Sequence, residues 1–597
     1  MTKAHLLTKK EKTLIQLLGQ LWLYLGRHRR FQLLCIMVVM VASSIAEILS
    51  LASVLPFLSV LANPSTIWNL PLVQQWIPRL GIASEQELLL PITVGFALTA
   101  LFAGLIRLLN LWLNGIFAAA IGSDLSSEAF RRTLYQPYAV HLTRNSSELI
   151  STITVDVVRV ISLVLNPLLL LLSSGLIAIS LVLTMLLINW LIALGAGLVV
   201  SSVYVLAIAS SRKQLYLMGK RQILLNRQII QSLQEGLGAI RDVLLDSTQD
   251  FYYRSYRNAD QQLRRIYADS VFLSTYPRLV LEPVGMALIA FFGYILILQD
   301  GVDKALPLLG ALALGSQRLL PVIQKVYEGW GQTLNGKSSL EKLLELLSQQ
   351  YNTYNNDREI KQFSFKHCIR FEDVHFSYAT DLPEVLRGID LEIRHGERIG
   401  FIGCTGSGKS TTLDLLMGLL EPTSGRILVD SHDLNNLEHP ENLLSWRATI
   451  AHVPQNIYLS DSSFAENIAF GIPKKDIDMS KVRKAAQQSQ IAAFIETSPM
   501  GYDSFVGEHG IRLSGGQRQR VGIARALYKQ AQVIVFDEAT SSLDTNTESA
   551  VMEAIDNLSS NLTIIIIAHR LSTISQCSRI VHLDQGKILR IVQPENI

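Results

Sequence analysis

The sequence predicts an α-helical membrane domain of six spans, followed by an α/β domain built around a phosphate-binding loop. Three observations carry that prediction. Six apolar stretches are each long enough to cross a bilayer, Lys and Arg are unevenly divided among the connections, and "GFIGCTGSGKSTT" from residue 400 has the pattern of a strand, a glycine-rich loop and a helix.

Of 597 residues, 49% are hydrophobic and 17% charged, and nearly all the long apolar runs lie before residue 330. The length exceeds the roughly 250–300 residues at which single cores stop growing, so more than one domain is expected. A net charge of +3 is too small to mark a nucleic-acid binder, and no nucleic-acid partner is expected. The four cysteines, Cys35, Cys368, Cys404 and Cys577, have neither metal spacing nor a disulfide framework, which fits reducing surroundings for the polar half. The first 30 residues contain seven Lys/Arg but no short apolar core with a small-residue cleavage site, so no cleavable signal peptide is expected.

The apolar stretches lie near 31–62, 88–117, 157–187, 189–211, 276–298 and 303–328, and a helix needs about 20 residues to span. The third and fourth nearly abut at "LLINWLI", which requires a tight outer turn. The long connections 122–156 and 212–270 are polar, helical in pattern and rich in Arg ("EAFRRTLYQ", "QQLRRIYADS"), whereas the proposed outer loops hold almost no Lys or Arg. Positive charge inside places the N-terminus and both long loops in the cytoplasm. Residues 12–28, "KTLIQLLGQLWLYLGRH", read as an interfacial helix ahead of the first span. The polar run "SQQYNTYNNDREIKQ" then separates the halves, giving a membrane domain at 1–345, a linker at 346–366 and an α/β domain at 367–597.

Gly403 to Ser410 match GxxxxGK[ST]. The glycines let backbone N–H groups wrap phosphates, Lys409 reaches the β- and γ-phosphates, and Ser410 can hold Mg2+. The helix that follows adds the positive end of its dipole. Downstream, "VIVFDE" reads as a buried strand that ends in Asp537, on the metal side, and Glu538, placed to polarise an attacking water.

Between these motifs lies "LSGGQRQRVGIARAL", Leu513 to Leu527. With it, residues 367–597 resemble the ATP-binding cassette (ABC) superfamily, of which this is the signature. The resemblance implies ATP and Mg2+ as cofactors. It implies nucleotide contacts from Tyr378, stacked on adenine, and from Gly403, Cys404, Thr405, Gly406, Ser407, Gly408, Lys409, Ser410 and Thr411. Ser410, Gln455 and Asp537 would hold the metal. Gln455, Glu538, Lys409 and the switch histidine His569 would act in hydrolysis. Ser514, Gly515, Gly516, Gln517 and the D-loop Asp544 would meet the nucleotide held by an opposite cassette. One chain has one phosphate loop and one signature, so a dimer is required, and with Glu538 and His569 both present a homodimer with two working sites is favoured.

The order of membrane half then cassette resembles ABC exporter half-transporters of the type IV fold, which implies a domain-swapped dimer with coupling helices near 135–150 and 236–250. It also implies residence in the cytoplasmic membrane of a bacterium, among membrane lipids. Arg107, Arg278 and Arg318 fall inside or beside spans, where a charge costs about 2.5–3.5 kcal/mol on insertion scales. Arg107 lies roughly 28 Å into the second span, Arg278 at the cytoplasmic start of the fifth and Arg318 about a dozen residues into the sixth. Snorkelling to the interface competes as an explanation, and so does a pair with Glu282 for Arg278. Three together, doubled in a dimer, point to an anion-binding cavity suited to phosphate or pyrophosphate. "AEILSLASVLPFLSVLA", "PRLVLEPVGM" and "RLLPVIQ" further resemble bacterial lipid-linked oligosaccharide flippases, with "NLPLVQQWIPRLGI" (69–82) as an external helix. That resemblance implies ATP-driven flipping of a polyprenyl-pyrophosphate glycan or related glycolipid. The alternative is a general exporter of hydrophobic drugs, peptides or lipid A-like lipids.

Overall fold

The structure, a computed structural model, describes residues 12–62, 68, 84–188, 190–300, 302–349, 351, 363–379, 381–436, 439, 441–538, 548–549, 561–567, 574–575 and 577–594. The proposed external helix at 69–82, Asp544 and His569 lie outside the described residues. The described residues group into two compact units, those of 1–136 with 144–351 and those of 137–143 with 352–597.

The first unit is helical: α1 (Leu14–Tyr24), α2 (Arg27–Ala52), α3 (Val54–Ala62) and α4 (Leu89–Leu134). The short α5 (Tyr138–Thr143) belongs to the second unit. Then come α6 (Ser146–Ser151), α7 (Val157–Val160) and α8 (Asn166–Ile188), separated by single π-helical stretches at Thr152–Asp156 and Ile161–Leu165. The helices α9 (Trp190–Gly238), α10 (Ile240–Leu245), α11 (Gln249–Asp300) and α12 (Val302–Leu347) follow. No helix breaker separates the apolar run from the basic run in α4 or α9, so each continues as one rod. The 52 residues of α11 reach about 78 Å, more than twice a hydrocarbon core of about 30 Å. The basic segments read from the sequence as cytoplasmic helices are thus largely extensions of the spans.

Five helical stretches among the described residues are long and apolar enough to cross a membrane: Arg27–Leu61, Glu85–Leu134, Ser146–Leu187, Ala193–Gly238 and Gln249–Ile295. The sixth expected span falls within α12. Short helices lie in both places where coupling helices are expected, α5 and α10. α1 is held by a capping box between Thr13 and Gln16 and buries Leu17 and Leu21, while Ile15, Trp22 and Leu23 remain exposed. Between α2 and α3, Pro56 has no N–H for the carbonyl of Ala52, and the helix breaks at Ser53.

α2 packs along α4 and α8, α8 along α12, and α9, α11 and α12 along one another. α9 and α12 approach so closely that a Cβ on Gly219 would lie 2.1 Å from the carbonyl oxygen of Asn335. α11 contains Pro277 and Pro283. Pro277 leaves the carbonyl of Leu273 without its helical donor, and the hydroxyl of Tyr327 on α12 donates to it at 3.0 Å. Beside it, Gln324 donates to the carbonyl of Ser274 at 3.0 Å and accepts from the Tyr204 hydroxyl at 3.0 Å.

In the second unit, β1 (Cys368–Phe376), β2 (Leu386–Arg394), β4 (Ser424–Val429) and β5 (His432–Asp433) form an antiparallel sheet ordered β2-β1-β4-β5. A second sheet runs β10-β9-β3-β8-β7-β6, from β3 (Arg398–Ile402), β6 (Ile450–Val453), β7 (Val533–Asp537), β8 (Thr563–Ile567), β9 (Arg579–Asp584) and β10 (Lys587–Val592). All its pairings are parallel except β10 with β9. Its inner strands are unbroken apolar runs such as "TIIII" because both faces are covered. Phe371, Phe401 and Trp446 are fully buried in the core shared by the two sheets, and the indole of Trp446 donates to the carbonyl of Leu416 at 2.7 Å.

The Pro277–Tyr327 substitution of donors is testable. Tyr327→Phe leaves the Leu273 carbonyl without a donor and should cost about 1–3 kcal/mol, read as a lower Tm in detergent. Adding Pro277→Ala restores a backbone N–H and should recover most of the loss. A double variant as unstable as the single would show that the hydroxyl acts through other contacts.

Candidate nucleotide and substrate sites

The phosphate loop follows β3, at the C-terminal edge of the parallel sheet, where α/β folds present their ligand crevice. Gly408 (φ +101°) caps α13 (Lys409–Leu416), and a Cβ there would lie 2.6 Å from Leu386. No other residue type fits that turn. Cys404, Thr405, Gly406 and Ser410 are exposed, and Ser407, Gly408, Lys409 and Thr411 are buried. The Lys409 ammonium donates to the carbonyls of Gly403 (2.8 Å) and Cys404 (3.0 Å), which bends the loop around it. The Ser407 hydroxyl is buried with no hydrogen-bond partner among the described residues. An orphaned hydroxyl beside a lysine in a loop of backbone N–H groups fits a bound phosphate.

β7 and β3 flank β8, so Asp537, at the end of β7, lies on the loop's side of the sheet. Burial first, then the neighbouring Glu538, pushes the Asp537 carboxyl up, against the pull of Lys409. Burial and Asp537 push Asp414 of α13 up to about 6. Asp414 was not singled out from the sequence. Its signal was a carboxylate five residues after Lys409 on a helix that otherwise turns apolar. Glu538 stands at φ +50°, its N–H donating to Ile567 at 3.0 Å, and its Oε2 accepts from Gln455 Nε2 at 2.8 Å. The expected water-polarising and metal-sensing groups therefore already touch. Among the described residues no three His, Cys, Asp or Glu gather as a metal cluster. Ser410, Gln455 and Asp537 offer only a hydroxyl, an amide and one carboxylate, which suits Mg2+ completed by phosphates and water.

The Tyr378 hydroxyl meets Thr411 Oγ1 at 3.0 Å, and its half-exposed ring packs edge-on against Phe376. Tyr138 of α5 lies in the same unit; burial, with Asp414 and Tyr378 nearby, pushes its phenol up. The signature opens α14 (Gly515–Tyr528), with Ser514 as N-cap: its hydroxyl accepts from the N–H of Gln517 at 3.2 Å, and the Gln517 side chain accepts from the N–H of Ser514 at 2.9 Å. The capping box leaves the Gly515 and Gly516 N–H groups at the positive end of a 14-residue helix.

In the first unit the three arginines do not form one cluster. Arg107 and Arg318 converge on Glu47, at 3.0 and 3.2 Å. Arg278 stands apart, 3.8 Å from Glu282 one turn on. Both line a cavity of about 790 Å³ between α8, α9, α11 and α12, whose walls include Met185, Leu281, Phe292 and Leu320. Glu47 was missed in the sequence, although a lone carboxylate in "SSIAEILS" was its signal.

The exposed Cys404 gives the loop a chemical handle. A maleimide should abolish ATP hydrolysis, ATP should protect, and Cys404→Ser should be resistant. A serine variant as sensitive as the parent would place the inhibition at Cys35 or Cys368.

Comparison with known proteins agrees with this architecture. Residues 31–304 match the ABC transporter transmembrane region family and residues 386–541 the ABC transporter family. The ATP-dependent lipid A-core flippase of Chromohalobacter salexigens is 31% identical over 78% of this chain and 79% of its own. That of Saccharophagus degradans is 30% identical over 81% of each. A bacterial Atm1-family ABC exporter solved with ATP bound superposes with a TM-score of 0.75 over 95% of this chain and 96% of that one, and at 23% identity shows the fold alone. A membrane-spanning helical unit and an ATP-hydrolysing cassette on one polypeptide, with relatives alike across both, make this chain an ABC transporter of the exporter half-transporter type.

Proposed function

We propose that the chain works as a homodimer in the bacterial cytoplasmic membrane and couples hydrolysis of MgATP to flipping of an anionic lipid-linked glycan, a polyprenyl-pyrophosphate oligosaccharide or related glycolipid. The observation that carries this reading is an apolar cavity within the membrane unit with Arg278 and Glu282 in its wall. An apolar chamber with a guanidinium at one place suits an amphiphile that has a tail and an anionic headgroup. Arg107 on α4 and Arg318 on α12 add two more guanidiniums in the same unit, outside the wall of that cavity. The relatives named lipid A-core flippases favour the second reading, an exporter of lipid A-like lipids or other hydrophobic cargo.

In the cassette, the loop from Gly403 to Thr411 holds the phosphates, with Lys409 turning from its two carbonyls to the β- and γ-phosphates. Tyr378 stacks on adenine. Ser410, Asp537 and Gln455 would hold Mg2+, which would supply positive charge to offset that of the phosphates. Glu538 orients the attacking water once Gln455 releases it, and His569 steadies the γ-phosphate. Ser514, Gly515, Gly516 and Gln517, with Asp544, close the site from the second copy, where the N-terminus of α14 offers its positive end to the phosphates.

Glu538→Gln should keep ATP binding and lower the hydrolysis rate by about a hundredfold or more, trapping a closed cassette dimer visible by crosslinking. Turnover at the parent rate would remove Glu538 from this role. For the substrate, Arg278→Ala or Arg318→Ala should cripple flipping of a labelled polyprenyl-pyrophosphate glycan in vesicles while basal ATP hydrolysis survives. Arg107→Ala should do the same. Lys should rescue only in part, because it loses the two-pronged donor geometry. Alanine variants that hydrolyse ATP and flip at the parent rate would leave an exporter of other cargo.

A further inference from the structure

Glu47 sits on the buried face of α2 beside Ser43, Ser50 and Leu51 and is only 4% exposed. Its Oε1 accepts from Arg107 Nη1 at 3.0 Å, and its Oε2 accepts from Arg318 Nη1 at 3.2 Å. Arg318 Nη1 also donates to the Ser50 hydroxyl at 2.9 Å. One carboxylate therefore gathers guanidiniums from α4 and α12 onto a single point on α2.

The two partners are far less covered than the carboxylate. The Arg107 side chain is 57% exposed and that of Arg318 32%, against 5% for Glu47. A guanidinium has five N–H donors in a fixed plane. Among the described residues, each arginine spends only Nη1 on the protein. The carboxylate thus lies behind the pair, and the Nε and Nη2 edges remain free to receive a second anion. Two cations facing one anion keep a net positive charge. Without Glu47 the guanidiniums would repel one another, and two long side chains would regain their rotamer freedom.

We propose that Glu47 is a positioning residue for substrate recognition, an internal counter-ion that converges Arg107 and Arg318 into a cradle for the phosphate or pyrophosphate of a lipid headgroup. The inference rests on the proposed anionic-headgroup reading and adds to it the residue that gives the site its shape. It makes an unusual demand of sign. Removing a negative charge beside an anion site ordinarily tightens anion binding, whereas loss of a positioning residue loosens it.

The experiment uses full-length protein in nanodiscs, with binding of farnesyl pyrophosphate and of phosphatidic acid measured against farnesol as neutral control. Glu47→Gln keeps the size of the side chain and raises the local charge by one. It should weaken pyrophosphate binding about tenfold, leaving farnesol binding, basal ATP hydrolysis and Tm near the parent values. Glu47→Asp keeps the charge and shortens the arm, so it too should weaken binding; it keeps the idea testable if the Gln variant fails to fold. Tighter or unchanged pyrophosphate binding in a folded variant would overturn the proposal, as would a lowered Tm with unchanged affinity, the mark of a mere strut between helices. Glu47-dependent binding of phosphatidic acid as well would support a cradle that reads phosphate on any lipid. Binding of farnesyl pyrophosphate alone would support one matched to the polyprenyl headgroup. If the parent protein shows Glu47-dependent pyrophosphate binding yet flips no glycan, the cradle stands and only the glycan reading falls.

Discussion

A polar group in the hydrocarbon of a membrane must find its partner inside the protein, because no water is there to replace it. Much of the first unit follows from that constraint. Pro277 frees a carbonyl on α11, and Tyr327 on α12 reaches over to it. Asn110 on α4 donates to Ser173 on α8 at 2.7 Å, both buried. Glu47 is tolerated on α2 because two arginines donate to it, one of them held also by Ser50. The first two pairings join helices that apolar side chains alone would leave free to slide, since lipid tails solvate a leucine as well as another leucine does.

The cassette obeys a different rule. Its parallel strands are buried on both faces, and that rigidity brings Ile402 and Asp537 to the same edge of the sheet. The loop between β3 and α13 can then afford glycines at Gly403 and Gly408, where neighbouring backbone and side chains leave no room for a Cβ. The candidate nucleotide-site groups cluster where regular structure ends. Lys409, Asp537 and Glu538 all lie at the boundary between an element and a loop, where a side chain can face a ligand while its backbone is held. Gln455 and Glu538, from separate loops, meet at 2.8 Å at that edge.

The two units differ in how openly they advertise function. The phosphate loop, the acidic strand and the signature are contiguous runs, and each could be read directly because a continuous backbone performs the task. The proposed membrane sites are assembled from single residues on separate helices, Arg278 in the cavity wall and positions 47, 107 and 318 on three other faces. The sequence reading reached Arg107 and Arg318 because an unexplained charge in a span is conspicuous. It grouped Arg278 with them, which spacing along the chain could not refuse, and it passed over Glu47, whose meaning comes only from what stands opposite. It also divided the long rods into spans and separate cytoplasmic helices, because hydropathy changes where the membrane ends and helix propensity does not.

What the sequence determined by itself was therefore local or periodic. It set the apolar runs and their charge asymmetry, the α/β pattern of the second half, the phosphate loop from Gly403 to Ser410, the Asp537–Glu538 pair, and the signature from Leu513 to Leu527. Each depends on neighbours within a few residues, so composition and spacing suffice. The tertiary structure alone decided that Glu47 would meet Arg107 and Arg318, that Tyr327 would supply the donor Pro277 lacks, and that Asp414 would lie beside Asp537 with its carboxyl raised to about 6. Those outcomes depend on which faces of distant helices are turned toward each other, and that orientation is set by the packing of the whole unit.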